Sequence, residues 1–295
     1  MTYFLDLRHA PVGGGLAPSV ATFAGTSLAD YAGVRQDELL TAVSGRDVLI
    51  ATHGFDVNRA DGIACLSNWG SLLQLPPNAA FVGLLWPGDS IWAHGLDYPE
   101  EPKIANEAGL LLAGFLDSHF AGIASLSFAS HSLGARVVLQ TIQELQMPVR
   151  RATIMAGAIE DNCLNTEYKN AAAKVDEFSV LSSKKDEVLS VDFPIGNFIA
   201  GIIAEGHPWW RAALGHCGPV NPRPGNVLVP FEIPDNWKFE HGNYLQIDSA
   251  PVPVLPVPTN VPPNGSPIPA LDGAGNPARG WQEAFSSAFA STRFR

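Results

Sequence analysis

The sequence is short of cysteine, of charge and of long apolar runs. Its three cysteines, Cys65, Cys163 and Cys217, are odd in number and widely spaced. That excludes a disulfide framework and the paired-cysteine pattern of a structural zinc site, and buried free thiols are expected. Charged residues make up 16% of the chain, with 18 Lys and Arg against 29 Asp and Glu, a net charge of −11. Binding a phosphate backbone needs clustered cations, so nucleic acid is excluded as a partner, as is electrostatic docking on anionic lipid. No apolar run approaches the roughly 18 residues of a membrane span. The densest, Phe193 to Ala204, is broken by Pro194, Gly196, Asn197 and Gly201. The opening Met1-Thr2-Tyr3-Phe4-Leu5-Asp6 has no basic stretch followed by an apolar one, so a cytoplasmic protein is expected.

What is present is a globular composition, 46% hydrophobic. Short apolar runs alternate with longer helical patterns. The runs are Asp47–Thr52, Ala79–Trp86, Ser125–Ala129, Ala152–Ala156 and Phe178–Leu181. They lack polar alternation, which suits strands covered on both faces, as in a parallel sheet. Residues 106–120 and 133–145 carry apolar side chains at helical spacing, among them Leu133, Val137, Val138, Ile142 and Leu145. This predicts an α/β fold with a doubly wound, mostly parallel sheet flanked by helices, and a site at the carboxyl ends of the strands. Residues 250–269 contain eight prolines and cannot pair inside a sheet. The domain reading is therefore 1–248, followed by a proline-rich arm with a short terminal helix over 249–295. That arm could pack on its own domain or on a second copy, making a homo-oligomer.

The chemistry centres on Ser125-Leu126-Ser127-Phe128-Ala129-Ser130-His131-Ser132-Leu133-Gly134, a strand running into a helix through small residues. A nucleophilic serine needs this sharp turn so that its hydroxyl stands clear of the sheet. Ser132 is the candidate nucleophile. Gly134 fits the pattern, and Ser130 stands where glycine is more usual. The helix behind Ser132 offers N–H groups and a positive dipole end to an oxyanion. His53-Gly54-Phe55-Asp56 follows the 47–52 strand. The backbone N–H groups of Phe55 and Leu133 are the candidate oxyanion donors. Trp86, in Trp86-Pro87-Gly88-Asp89, is a candidate pocket wall or a core residue; His53 and His131 are further candidates for the pocket. A base and an acid should follow the serine in the order acid, then histidine. His241 is the favoured base, with His207 and His216 as rivals. Asp186, after the 178–181 strand, is the favoured acid, with Asp161 and Asp192 as rivals.

Together His53-Gly54-Phe55, Trp86-Pro87, Ser130-His131-Ser132-Leu133-Gly134, Asp186 and His241 resemble the α/β-hydrolase superfamily, from about residue 45 to 247. They look most like a largely uncharacterised bacterial subgroup with HG-aromatic, WP and SHSxG motifs. The resemblance implies a serine hydrolase of the esterase or lipase kind, with Ser132, His241 and Asp186 as a catalytic triad and no cofactor or metal. Thioesterase, amidase and acyltransferase activities share the scaffold, and a non-catalytic binding module is the remaining alternative. About 55 residues separate Asp186 from His241, and hydrolases of this type often carry a cap there, here about 190–226. Phe198 and Trp209 within it are candidate pocket residues. Apolar side chains between two catalytic loops suggest a small-molecule ester with an apolar moiety.

Overall fold

The computed structural model describes residues 1–73, 75–89, 101–192, 211–220, 227–233, 235 and 240–245. Most of the expected cap, including Phe198 and Trp209, lies outside them, and so does the proline-rich arm of 249–295 with its terminal helix.

The strands are β1 (Thr2–Arg8), β2 (Leu16–Gly25), β3 (Ala32–Gly33), β4 (Asp47–Thr52), β5 (Ala79–Leu85), β6 (Ser125–His131), β7 (Val149–Met155), β8 (Val175–Ser182) and β9 (Val227–Glu232). The longer helices are α1 (Gln36–Val43), α2 (Arg59–Leu72), α3 (Glu101–His119), α4 (Gly134–Glu144) and α5 (Lys169–Lys174). Among the described residues the strands form one sheet in the order β3-β2-β1-β5-β4-β6-β7-β8-β9. Every pairing from β1 to β9 is parallel, while β2 and β3 close one edge antiparallel.

Burial explains the apolar runs. Val48, Leu49, Ile50 and Ala51 of β4 are all essentially buried, so both faces of this central strand are covered. Each such Val, Leu or Ile contributes roughly 1.5–3 kcal/mol relative to an exposed side chain. In α4, Val137, Val138 and Ile142 are buried, on the stripe expected from their spacing. Cys65 and Cys163 are buried free thiols, as expected, and Cys217 is an exposed one. Burial pushes the Cys65 thiol up to about 12.

Register then positions the site. After β4 the chain goes to β5 on one side and to β6 on the other, so the strand order reverses around β4, which is where α/β sheets place ligands. Thr52 pairs with Ser130 and with Leu84, His131 with Met155, and Met155 with Leu181. The loops that begin at His53, Trp86, Ser132, Ala156 and Ser183 therefore leave the sheet side by side. Among the described residues, no helix is long and apolar enough to cross a membrane.

Candidate functional site

Ser132 sits in the turn between β6 and α4 with φ +52°, a left-handed conformation uncommon for a side-chain-bearing residue. Such strain costs of order 1–3 kcal/mol and persists only where the surroundings enforce it. Here they do. The Ser132 N–H donates to the Met155 carbonyl at 3.0 Å, and its carbonyl accepts from Ala135 at 3.1 Å and Ala158 at 3.2 Å. The other non-glycine residues with positive φ among those described, Asp56 and Ala156, follow β4 and β7. Backbone strain is thus gathered at the carboxyl ends of three adjacent strands. Leu133 is the N-cap of α4, whose first turn carries no acidic residue of its own, so the helix sets no carboxylate against its own positive end.

Two glycines let the neighbouring loop close on this turn. A Cβ on Gly134 would lie 2.3 Å from the His53 carbonyl oxygen. A Cβ on Gly54 would lie 2.6 Å from the Ser132 Cβ and 3.2 Å from its Oγ. The His53–Asp56 loop is therefore pressed against the Ser132 turn, one residue from the Phe55 N–H.

His241 opens a 3-10 turn, His241–Leu245. Its Nε2 is 2.8 Å from Ser132 Oγ and its Nδ1 is 2.8 Å from Asp186 Oδ2. With Nδ1–H donating to the carboxylate, Nε2 is free to accept the serine hydroxyl proton. Asp186 is fully buried, four residues beyond β8. Its Oδ1 accepts from the Leu189 N–H at 3.0 Å, where a π-helical turn, Val188–Asp192, begins. One oxygen is thus tied to backbone and the other faces the imidazole.

Among the described residues, no rival is hydrogen-bonded to Ser132. Asp161 binds Arg211 at 2.9 Å. The side chain of Asp192, and all of His207, fall outside the described residues. His216 lies in the short helix Leu214–Cys217, with a buried Nδ1 that has no hydrogen-bond partner among the described residues. His131 is nearly buried, and its Nε2–H donates to the His241 carbonyl at 2.9 Å. Burial, and then the neighbouring His241, push its pKa down to about 3, so it is neutral and no base.

His53 and Trp86 are the expected pocket candidates, with a core tryptophan the alternative for Trp86. Both are fully buried. The Trp86 indole N–H donates to the His53 carbonyl at 3.0 Å, and the His53 Nδ1–H to the Gly54 carbonyl at 2.9 Å. Their rings stack with centroids 5.9 Å apart. Burial pushes His53 down to about 4, which keeps it neutral. Their polar atoms face backbone, so the pair braces the loop rather than presenting functional groups to a ligand.

A second brace is one that sequence reasoning missed. The buried Arg8, at the end of β1, pairs with Asp89 and donates to the carbonyls of Val57 at 3.0 Å and Trp86 at 2.9 Å. Asp56 N–H donates to the Gly88 carbonyl at 2.7 Å. Charges inside a strand-like segment were the available signal. Among the described residues, no group of three or more His, Cys, Asp or Glu is arranged to hold a metal ion.

A mostly parallel sheet in which β6, beside the central β4, feeds a strained serine turn at a helix N-terminus is the arrangement of an α/β hydrolase. The family comparison gives the same class. Residues 34–202, more than half of the chain, match the family described as alpha/beta hydrolase of unknown function (DUF900), and the chain belongs to that family. No curated protein matches it. Among solved structures it is similar to a predicted CIB-like hydrolase from Thermoplasma acidophilum, at 16% identity and a TM-score of 0.39 over 73% of this chain and 83% of that one. It is also similar to acetyl xylan esterase 1 from Thermoanaerobacterium sp. JW/SL YS485, at 12% identity and 0.39 over 81% and 82%. These likenesses are distant.

Proposed function

We propose that this chain is a serine hydrolase that cleaves a carboxylic ester with an apolar moiety through a covalent acyl-enzyme. The observation that carries the reading is the continuous line from Asp186 through His241 to Ser132, with both contacts at 2.8 Å and the serine held at φ +52°. In this mechanism His241 Nε2 takes the hydroxyl proton as Ser132 Oγ attacks the ester carbonyl. Asp186 holds the imidazole in the required tautomer and stabilises the cation that forms. The oxyanion of the tetrahedral intermediate accepts hydrogen bonds from the Phe55 and Leu133 backbone N–H groups, each worth about 10²–10³ in rate. His241 then returns the proton to the leaving alkoxide, which departs as the alcohol. Water, activated by the same base, attacks the acyl-enzyme and releases the acid. No step calls for a cofactor or metal.

Purified protein tests this against a p-nitrophenyl ester series of increasing acyl length. Wild type is expected to cleave at least one member and Ser132→Ala none. Ester cleavage that survives in Ser132→Ala would remove the assignment.

A further inference from the structure

His131 takes no part in the proton transfers above, yet it touches three parts of the site. We propose that His131 is a positioning residue that ties the His241 turn and the Gly54 loop to the nucleophile. The inference rests on the reading of Ser132 and His241 as nucleophile and base.

Its backbone is bonded directly to Ser132, and β6 fixes it by pairing with Met155 of β7. One ring edge carries the Nε2–H that reaches the His241 carbonyl at 2.9 Å. The acceptor is the backbone of the residue whose side chain faces Ser132, so the bond fixes the origin of the base, not only its ring. The opposite ring edge faces the oxyanion loop, since a Cβ on Gly54 would lie 3.2 Å from Nδ1. The ring also lies 4.8 Å from the His241 ring and 5.8 Å from that of the buried Tyr244, centroid to centroid. One side chain thus spans the gap between the base turn and the oxyanion loop, starting from the residue before the nucleophile.

The chemistry of the ring suits that task. A neutral imidazole with its proton on Nε2 supplies the one N–H the carbonyl needs. Burial keeps it neutral through the range where esters are cleaved. Neutrality matters a second time when His241 becomes a cation in the transition state. A charged neighbour at that separation would oppose the cation, whereas a neutral one lets Asp186 act alone. An ordinary core histidine would satisfy its N–H on any nearby carbonyl; this one uses the backbone of the base.

The test compares three substitutions with the Ser132→Ala control. His131→Phe keeps a ring and removes the N–H. His131→Gln places an amide N–H near the position of Nε2. His131→Asn carries the same amide but is too short to reach. With a p-nitrophenyl ester that wild type cleaves, His131→Phe and His131→Asn are expected to lower kcat about 10- to 100-fold, the scale of a base displaced by up to 1 Å. KM should stay within about threefold, and His131→Gln should recover most of kcat. Should the phenylalanine variant fail to fold, the contrast between Gln and Asn carries the test. Equal kcat for Gln and Asn, or a loss confined to KM or to the melting temperature, overturns the proposal while leaving the nucleophile assignment intact. Activity remaining in Ser132→Ala overturns the assignment and the proposal together.

Discussion

Replacing Gly54 by alanine tests how tightly the His53–Asp56 loop, the proposed source of an oxyanion donor, is seated on Ser132. The new Cβ would come to 2.6 Å from the Ser132 Cβ and 3.2 Å from both Ser132 Oγ and His131 Nδ1, where ordinary contact begins at 3.4 Å. The shortfall at the nearest atom is about 0.8 Å. Ser132 cannot yield easily, because its N–H and carbonyl are bonded to β7, to the first turn of α4 and to Ala158. The loop must therefore move, carrying the Phe55 N–H by a similar distance. A misplacement of about 1 Å costs roughly 10²-fold, and the full loss of an oxyanion donor about 10²–10³-fold. Gly54→Ala should thus lower kcat/KM about 100-fold, and overpacking should cost about 1–3 kcal/mol of stability. Gly114, within α3, is the control: a Cβ added there would meet nothing within 4 Å. Gly114→Ala should leave kcat/KM unchanged and stabilise by about 1 kcal/mol, because alanine favours helix over glycine by that amount. The assay is steady-state ester hydrolysis beside thermal unfolding of both variants. Gly54→Ala with kcat/KM within threefold of wild type would refute the reasoning.

Asp186→Asn should lower kcat by about 10⁴-fold, the scale seen when a triad acid loses its charge. Asp161→Asn breaks only the contact to Arg211 and should stay within a few-fold, so steady-state kinetics showing the reverse order would reassign the acid. Ser130 is fully buried and its hydroxyl has no hydrogen-bond partner among the described residues. Ser130→Ala removes that desolvated group and should raise stability by about 1 kcal/mol in denaturant titration; a comparable loss would show that the hydroxyl is satisfied. His53 and His131 are held neutral down to about 4 and about 3, against 6.5 for an unburied ring. Between pH 6.5 and 4 the unfolded chain therefore binds more protons than the folded one. Stability is full above 6.5 and falls as pH drops, by about 1 kcal/mol per pH unit for each ring. Melting temperatures from pH 7.5 to 4.5 should fall less steeply for His131→Gln than for wild type, and equal slopes would contradict this.

Strands β4 to β8 were legible because burial on both faces leaves no polar alternation, as at Val48–Ala51. β1 was not. Its Asp6 and Arg8 interrupt the apolar pattern, yet both are buried, paired with Arg59 and Asp89. Helix α2 was also hidden, since it contains two glycines, one of them Gly70 with the Phe81 ring packed against it. The strained turn at Ser132 could be read from its neighbours in sequence, because a strand-to-helix elbow is local. Asp186 was favoured over Asp161 only by its place after the 178–181 strand, since both follow adjacent strands at the same end of the sheet. What separates them is Arg211 on one and His241 on the other, each at least 50 residues away. His53 and Trp86 lie at strand ends as expected, but only the three-dimensional packing shows their rings turned into backbone.

The central claim is that Ser132 is an activated nucleophile. Treatment with a fluorophosphonate probe, followed by peptide mass mapping, tests it without knowledge of the substrate. One adduct on Ser132, absent in Ser132→Ala and much slower to form in His241→Ala, is the predicted result. No adduct on wild type, or equal labelling of Ser132→Ala, would contradict it.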